Sequence, residues 1–416
     1  MSEPLRNWAG NITFNPARIE RPRSVAELQN IVRGATKIRV LGSGHSFNRI
    51  ADTDDTLVSL TNLERVIHID RAAQTVTVDG GATYADIAAA LHEAGYALGN
   101  VASLPHITVV GAVCTATHGS GDANQNLAAA VIALKLITAS GEIVSYRRGD
   151  DDFDGVVVSL GALGVVSEIT LELIPTFDIR QSVYLDLPVA AIESHFDALM
   201  SRAYSVSLFT RWQGQTIDQV WVKALGSGDE PAAELLGARA ADRAFHPIPD
   251  FDGSTSTVQM GVVGPWYQRL FHFPIEQKAS AGAEIQSECF VARTDAKAAF
   301  KALHAAQDRF SGALFISEVR SVAADQFWLS TAYGQDTIGF HFTWKPEWEA
   351  TIAAVKAVEQ ALAPFRPRPH WAKVFTIDAD AIRALYPRHA DFVALANRLD
   401  PDGKFRNPMI EQVLFS

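Results

Sequence analysis

Apolar positions recur at helical spacing from Val25 to Gly34, behind a capping box formed by Ser24 and Glu27. The short apolar run Ile38–Leu41 reads as a strand that empties into Gly42-Ser43-Gly44-His45-Ser46-Phe47-Asn48. Residues 66–70 and Thr75–Asp79 read as paired strands around a polar turn, and Tyr84–Glu93 as a helix capped by Thr83 and stopped by Gly95. A passage rich in Gly, Ser and Thr fills 103–121. A hairpin then turns at Ser140-Gly141, and 165–173 is β-rich up to Pro175. Strands and helices mix without a regular βαβ series, which predicts an α+β fold.

After Pro175 the pattern starts afresh, with strands at 181–187, 205–212 and 219–222. Residues 226–257, rich in Gly, Ala, Asp and Pro, read as a long excursion over the surface. Two strands and two helices then alternate, the helices near 296–309 and 347–362. Beyond Phe365 the chain is punctuated by proline and ends in short helices.

Alternation in three of the later strands says more. Glu318 and Arg320 share one face in 316–322, with Val319 opposite. In 339–344, His341 and Thr343 oppose Phe340, Phe342 and Trp344; in 283–290, Glu284, Gln286 and Glu288 alternate with Ile285, Ser287 and Cys289. Such faces belong either to a half-exposed antiparallel sheet with water on that side or to the wall of a pocket. Acid, imidazole, amide and hydroxyl groups suit a hydroxyl-rich ligand, because each hydroxyl both donates and accepts.

Composition narrows the partners. The 416 residues are 48% hydrophobic and 20% charged, an ordinary globular profile, and 36 basic against 47 acidic residues leave a net charge of −11. So acidic a chain repels phosphate backbones and anionic lipid, which argues against nucleic-acid and membrane-surface roles. The longest wholly apolar run, 127–134, is too short to span a bilayer, and the first residues carry no secretory pattern. Cys114 and Cys289 alone exclude a disulfide scaffold and a thiolate zinc site. A cytoplasmic enzyme is the expectation.

Gly42-x-Gly44 invites a dinucleotide reading, but the third glycine of G-x-G-x-x-G would fall on Phe47, so a Rossmann site fails. What remains is a plain glycine turn or a cradle of backbone N–H groups for a pyrophosphate. In 108–121, the small residues Gly111, Ala112, Ala116, Gly119 and Gly121 permit close backbone approach, and Ser103, Thr108 and Thr117 add hydroxyls. That piece is either a tightly packed core crossing or a second cofactor loop. Neither G-x-S-x-G nor H-E-x-x-H occurs. Lys373, in Pro369-His370-Trp371-Ala372-Lys373, either snorkels to solvent or sets a cation beside developing negative charge.

Taken together, Gly42 to Asn48 resembles the vanillyl-alcohol-oxidase superfamily of flavoproteins. Ala102-Ser103-Leu104-Pro105-His106, Thr117-His118-Gly119-Ser120-Gly121 and Tyr204-Ser205-Val206-Ser207-Leu208-Phe209 narrow the resemblance to its alditol oxidases. Glu318-Val319-Arg320, His341-Phe342-Thr343-Trp344 and His370-Trp371-Ala372-Lys373 agree with it in order along the whole chain.

The resemblance implies an FAD-binding domain at 1–175, a substrate domain at 176–368 and a C-terminal segment, 369–416, that returns to the first. It implies FAD bound by Leu41, Gly42, Ser43, Gly44, His45, Ser46, Phe47, Ser103, Thr108, Gly111, Thr115, Ala116, Thr117, His118 and Val166. His45 is its covalent anchor. Substrate falls to Ser103, Glu318, Arg320, Thr343 and Lys373, with Gln286 and His341 as neighbours, and Lys373, Arg320 and Glu318 are catalytic. The cysteine of doubly linked relatives is missing from 102–105, so one covalent link is expected. The implied reaction is hydride transfer from a terminal CH–OH of xylitol, sorbitol or a similar polyol, with O₂ reduced to hydrogen peroxide, by a monomer. Two rivals stand beside it: an aldonolactone oxidase or dehydrogenase of the same superfamily, and a flavin-free carbohydrate-binding protein.

Overall fold

The computed structural model describes residues 4–228, 230–276 and 283–416. Residues 1–3 of the expected 1–175 domain, and 229 and 277–282 of the expected 176–368 domain, lie outside the described residues.

Local signals act where the chain carries them. Ser24 caps the Val25–Gly34 helix by accepting from the Glu27 amide, but the Glu27 carboxylate reaches past Ser24 to the Arg23 amide at 2.7 Å. Thr83 and Asp86 form the full reciprocal box at the start of Tyr84–Glu93, and Gly95 leaves that helix at a φ of 89°. Within 103–121 the chain makes one unexpected helix, Val109–Cys114. Its β-branched residues hide the pattern, and burial of Val109, Ala112 and Val113 overrides their weak propensity.

The described residues form four sheets, the smallest a two-stranded pairing of Ile174–Pro175 with Tyr96–Ala97. Arg18–Glu20, Thr56–Ser59 and Ile38–Leu41 pair in parallel. A five-stranded antiparallel sheet runs Ile67–Asp70, Thr75–Asp79, Val165–Glu172, Val131–Ile137, Ile143–Arg147. The largest sheet, antiparallel, places Asp178–Pro188, Thr216–Leu225, Ser205–Thr210, Leu314–Val322, Thr337–Trp344 and Ile285–Ala292 side by side. The α+β expectation therefore holds. The simple alternation of two strands and two helices does not: Leu314–Val322 and Thr337–Trp344 pair directly, between helices Ala296–Ala305 and Trp348–Leu362. His389–Leu399, at 11 residues, is also longer than the short helices expected there.

Both faces of the large sheet's inner strands are covered. Helices Val189–Met200, Ala296–Ala305 and Trp348–Leu362 bring Phe196, Phe300 and Val358 into one core with Val319, Phe340, Phe342 and Trp344. The opposite face carries Glu288, Glu318, Arg320, His341 and Thr343, all buried. A sheet wetted on its polar side is thus excluded.

Residues 369–416 come back to the first sheets. Phe47 donates its amide to the Ala372 carbonyl at 2.7 Å, and Asn48 Nδ2 donates to the carbonyls of Trp371 and Lys373. Ile38 N donates to Lys404 O, and Asn407 Nδ2 to the carbonyls of Arg49, Ile50 and Asp52. Arg39, fully enclosed, spends its guanidinium on the carbonyls of Ile50, Leu160, Gly161 and Phe405. Burial lowers its pKa to about 10.

Candidate active site

One continuous cavity gathers nearly all the residues singled out above. Its walls include Leu41, Gly42, Ser43, Gly44, His45, Ser46 and Phe47 from the glycine turn. Ser103, Thr108, Gly111, Thr115, Thr117 and His118 come from the second loop, and Val166 from the five-stranded sheet. The large sheet adds Gln286, Glu318, Arg320, His341 and Thr343, and Lys373 enters from the returning segment. Ala116 is the exception. It is wholly buried with a φ of 53°, where it turns the chain out of the short helix toward Thr117.

At one end the cavity is built from backbone. Among the described residues, the amides of Ser43, Gly44, His45 and Ser46 donate to no protein acceptor, whereas the flanking Phe47 amide is spent on Ala372. Four consecutive unspent N–H groups suit an anion. Small residues let the walls close: a Cβ on Gly42 would lie 2.5 Å from Thr108 Oγ1, and one on Gly80 would lie 2.2 Å from the Val166 carbonyl oxygen. His45 stacks on Trp8, ring centroids 4.7 Å apart, while Trp8 N donates to Gly44 O. Burial, helped by His106, lowers the His45 pKa to about 4, so its ring is neutral at neutral pH.

At the other end the cavity is built from charged side chains. Glu288, with no exposed side-chain surface, binds Lys373 Nζ through Oε2 at 2.5 Å, and both Arg320 Nη2 and His118 Nε2 through Oε1 at 3.0 Å. Burial alone would raise a carboxyl, yet Lys373, His118 and Arg320 hold Glu288 well below the usual carboxylate range. Lys373 is only 12% exposed in its side chain, which rules out snorkelling. Burial lowers its pKa and Glu288 opposes the fall. Lys373 also donates to His341 Nδ1 at 2.7 Å, which places the ring proton on Nε2, facing Thr343 Oγ1 at 3.1 Å. Burial and the Lys373 charge lower the His341 pKa to about 4.

Arg320 Nη1 reaches Ser103 Oγ at 3.4 Å, and its Nε lies 3.5 Å from Glu318 Oε2 without a hydrogen bond. Glu318 Oε1 accepts from His272 Nε2 at 2.8 Å. Burial raises Glu318, but Arg320 and His272 outweigh it and keep the group ionised. Gln286 Nε2 donates to Glu284 Oε1 at 2.6 Å.

Counting donors shows what is left for a ligand. Lys373 has three N–H groups and spends two; Arg320 has five and spends two within the site. The Thr343 hydroxyl accepts from His341 and keeps its own proton to give. Glu318 Oε2 accepts no hydrogen bond among the described residues. Cations, an acceptor and a hydroxyl thus converge on one polar chamber.

The alternation in 283–290 marks the face on which Glu288 lies but not its role, since its partners lie far off along the chain. His272 and the apolar flank of Phe209, Ile248, Phe273 and Ile316 also line the cavity, with Lys223 behind His272. Nothing local marks Lys223 or His272.

Comparison with known proteins adds identities to this geometry. Residues 16–147 match the FAD binding domain family, and residues 270–413 match the D-arabinono-1,4-lactone oxidase family. Over 417 aligned residues the chain is 45% identical to an alditol oxidase of a Streptomyces species, covering 100% of both. It is 32% identical to an L-gulono-1,4-lactone dehydrogenase of Mycobacterium tuberculosis over 441 residues, again covering 100% of both. In fold it is similar to the crystal structure of cholesterol oxidase from B. sterolicum, with a TM-score of 0.80, 14% identity, and coverage of 99% and 96% of the two chains.

Proposed function

The chain belongs to the alditol oxidase family of FAD-dependent oxidoreductases, and on that premise we propose that it oxidises a terminal hydroxyl of an acyclic polyol such as xylitol or sorbitol to the aldehyde. Bound FAD supplies the hydride acceptor at N5 and the subsequent reduction of O₂ to hydrogen peroxide. The observation that carries the reading is the meeting, in one cavity, of an amide-lined glycine turn with a buried Lys-Arg-Glu cluster that keeps unspent donors.

The residues present fit the cofactor. The free amides of 43–46 suit the diphosphate, the small residues of 108–119 allow a flat ring to lie close, and the Val166 backbone borders the far wall. We assign 1–175 and 369–416 to holding FAD and 176–368 to substrate. His45, neutral and stacked on Trp8, is the single covalent anchor. A cytoplasmic monomer is part of this reading.

Lys373 and Arg320 give their spare N–H groups to the oxygen of the reacting carbon and stabilise the negative charge that gathers there. Glu288 keeps both cations in place without spending its own contacts on substrate. Glu318 Oε2, Thr343 Oγ1 and Ser103 Oγ take the next hydroxyls and fix which carbon lies at the reacting end, with Gln286 and His341 holding the flank.

Two measurements test this. Acid precipitation of the purified protein should carry the yellow colour into the pellet; yellow in the supernatant removes the His45 link, and a colourless protein after FAD addition removes the oxidase. Aerobic incubation with xylitol or sorbitol should yield peroxide and aldehyde in equal amounts. A lactone substrate is the second reading, favoured by the match of 270–413. A kcat/KM larger for L-gulono-1,4-lactone than for any polyol would establish it.

A further inference from the structure

Behind Glu318 lies a lysine that the chemistry above does not use. Lys223, in the Thr216–Leu225 strand, is 2% exposed. Its Nζ meets three acceptors: Leu270 O at 2.5 Å, Phe271 O at 3.2 Å and His272 Nδ1 at 3.2 Å. Because Nδ1 of His272 accepts, the ring proton sits on Nε2 and is given to Glu318 Oε1 at 2.8 Å. The imidazole is packed against Phe209 and Trp221, and its backbone amide donates to Ser103 O at 2.9 Å. The ring is held; only the place of its proton is free to change.

Gln181 and Ser205, opposite Lys223 on the neighbouring strands, do not titrate. From the Leu314–Val322 strand Glu318 favours the charged lysine and Arg320 opposes it, while burial dominates and pushes its pKa down to about 7. The ammonium form has three N–H groups for its three acceptors. The amine has two, with a lone pair that is satisfied when His272 moves its proton to Nδ1 and donates to Nζ. One proton then leaves Lys223 for solvent, another passes from Nε2 to Nδ1, and a bare Nε2 faces the Glu318 carboxylate. Glu318 loses its donor, and two lone pairs oppose each other.

We propose that Lys223 is a positioning residue: acting through His272, its ammonium holds Glu318 ready to receive a substrate hydroxyl, and loss of its proton loosens polyol binding. This rests on the polyol reading above. The reacting carbon is untouched, so KM responds more than kcat.

The test is steady-state kinetics of the holoenzyme with xylitol across the neutral pH range. Wild type, Lys223→Arg, Lys223→Met, His272→Phe and the double variant would be compared. In wild type KM should rise as pH passes through about 7. Lys223→Met should raise KM about tenfold below that pH and flatten its pH profile, with kcat changed much less. Lys223→Arg, which keeps its charge, should restore a low KM and carry it to higher pH. In the His272→Phe background Lys223→Met should add nothing.

A wild-type KM for Lys223→Met, or equal losses in kcat and KM with an altered flavin spectrum, would overturn the assignment. Should Lys223→Met fail to fold, a Lys223→Arg KM that still climbs with pH as in wild type overturns it equally. A wild type that oxidises no polyol strikes the substrate reading; one that does so with a pH-flat KM strikes only the role of Lys223.

Discussion

The two ends of the cavity are made from different materials. The end bounded by 41–47 and 103–118 is backbone: glycines, small side chains and unspent amides. The chamber on the large sheet is side chain: two carboxylates, two cations and three imidazoles held by hydrogen bonds. A backbone site tolerates little added volume but hardly depends on charge. A side-chain site tolerates small changes of volume but depends on each charge having its partner. The comparison therefore predicts opposite sensitivities.

The largest effect should come from removing the shared partner. Glu288→Gln leaves Lys373 and Arg320 short of their buried counter-charge, and breaking such a pair costs about 3–5 kcal/mol of stability. Glu288 has a depressed pKa in the folded state. It stabilises fully above its unfolded pKa, and that contribution drains away as pH falls through the folded one. Thermal melts should show wild type losing this margin in acid and Glu288→Gln lacking it at every pH; equal melting curves at neutral pH would deny Glu288 its central place.

Lys373→Ala comes next. It should lower kcat by about 10²–10³-fold, the usual cost of deleting an electrostatic donor to a developing oxyanion. Flavin absorbance per mole of protein should be unchanged, because the amide-lined end does not use Lys373. Loss of colour together with activity would erase the distinction between the two ends.

Gly80→Ala probes the other material. Its new methyl would meet the Val166 carbonyl at 2.2 Å, so backbone has to move, at a cost of about 1–3 kcal/mol. Flavin content should drop, while any enzyme that still carries flavin keeps a near-normal KM for polyol. The mildest change is Thr343→Ala. One neutral hydrogen bond is worth about 1 kcal/mol, so KM should rise about fivefold with kcat nearly constant.

The same contrast explains what could be read from sequence. Caps and turns are local, so Ser24, Thr83, Gly95 and the Ser140-Gly141 hairpin announced themselves. The polar chamber was legible because its strands alternate: Glu318 with Arg320, His341 with Thr343, Gln286 with Glu288. That water does not wet this face was not legible, since burial depends on what packs over the strands. Glu288 is joined to Lys373, Arg320 and His118 across 85, 32 and 170 residues of chain, separations that no periodicity encodes. Lys223 and His272 sit further still from any pattern, one in a strand and one in an irregular segment. The Val109–Cys114 helix escaped because its composition reads as strand.

The return of residues 369–416 to the first sheets also has a meaning in the order of synthesis. Arg39 and Ile38 lead into the glycine turn, and their partners at Phe405 and Lys404 leave the ribosome more than three hundred and sixty positions later. Before that segment exists, Arg39 lacks the Phe405 carbonyl among its acceptors, and the Phe47 amide lacks Ala372. The whole of the largest sheet is translated inside that interval. The strand that leads into the glycine turn therefore gains its last hydrogen-bond partners only once the final segment of the chain has been made.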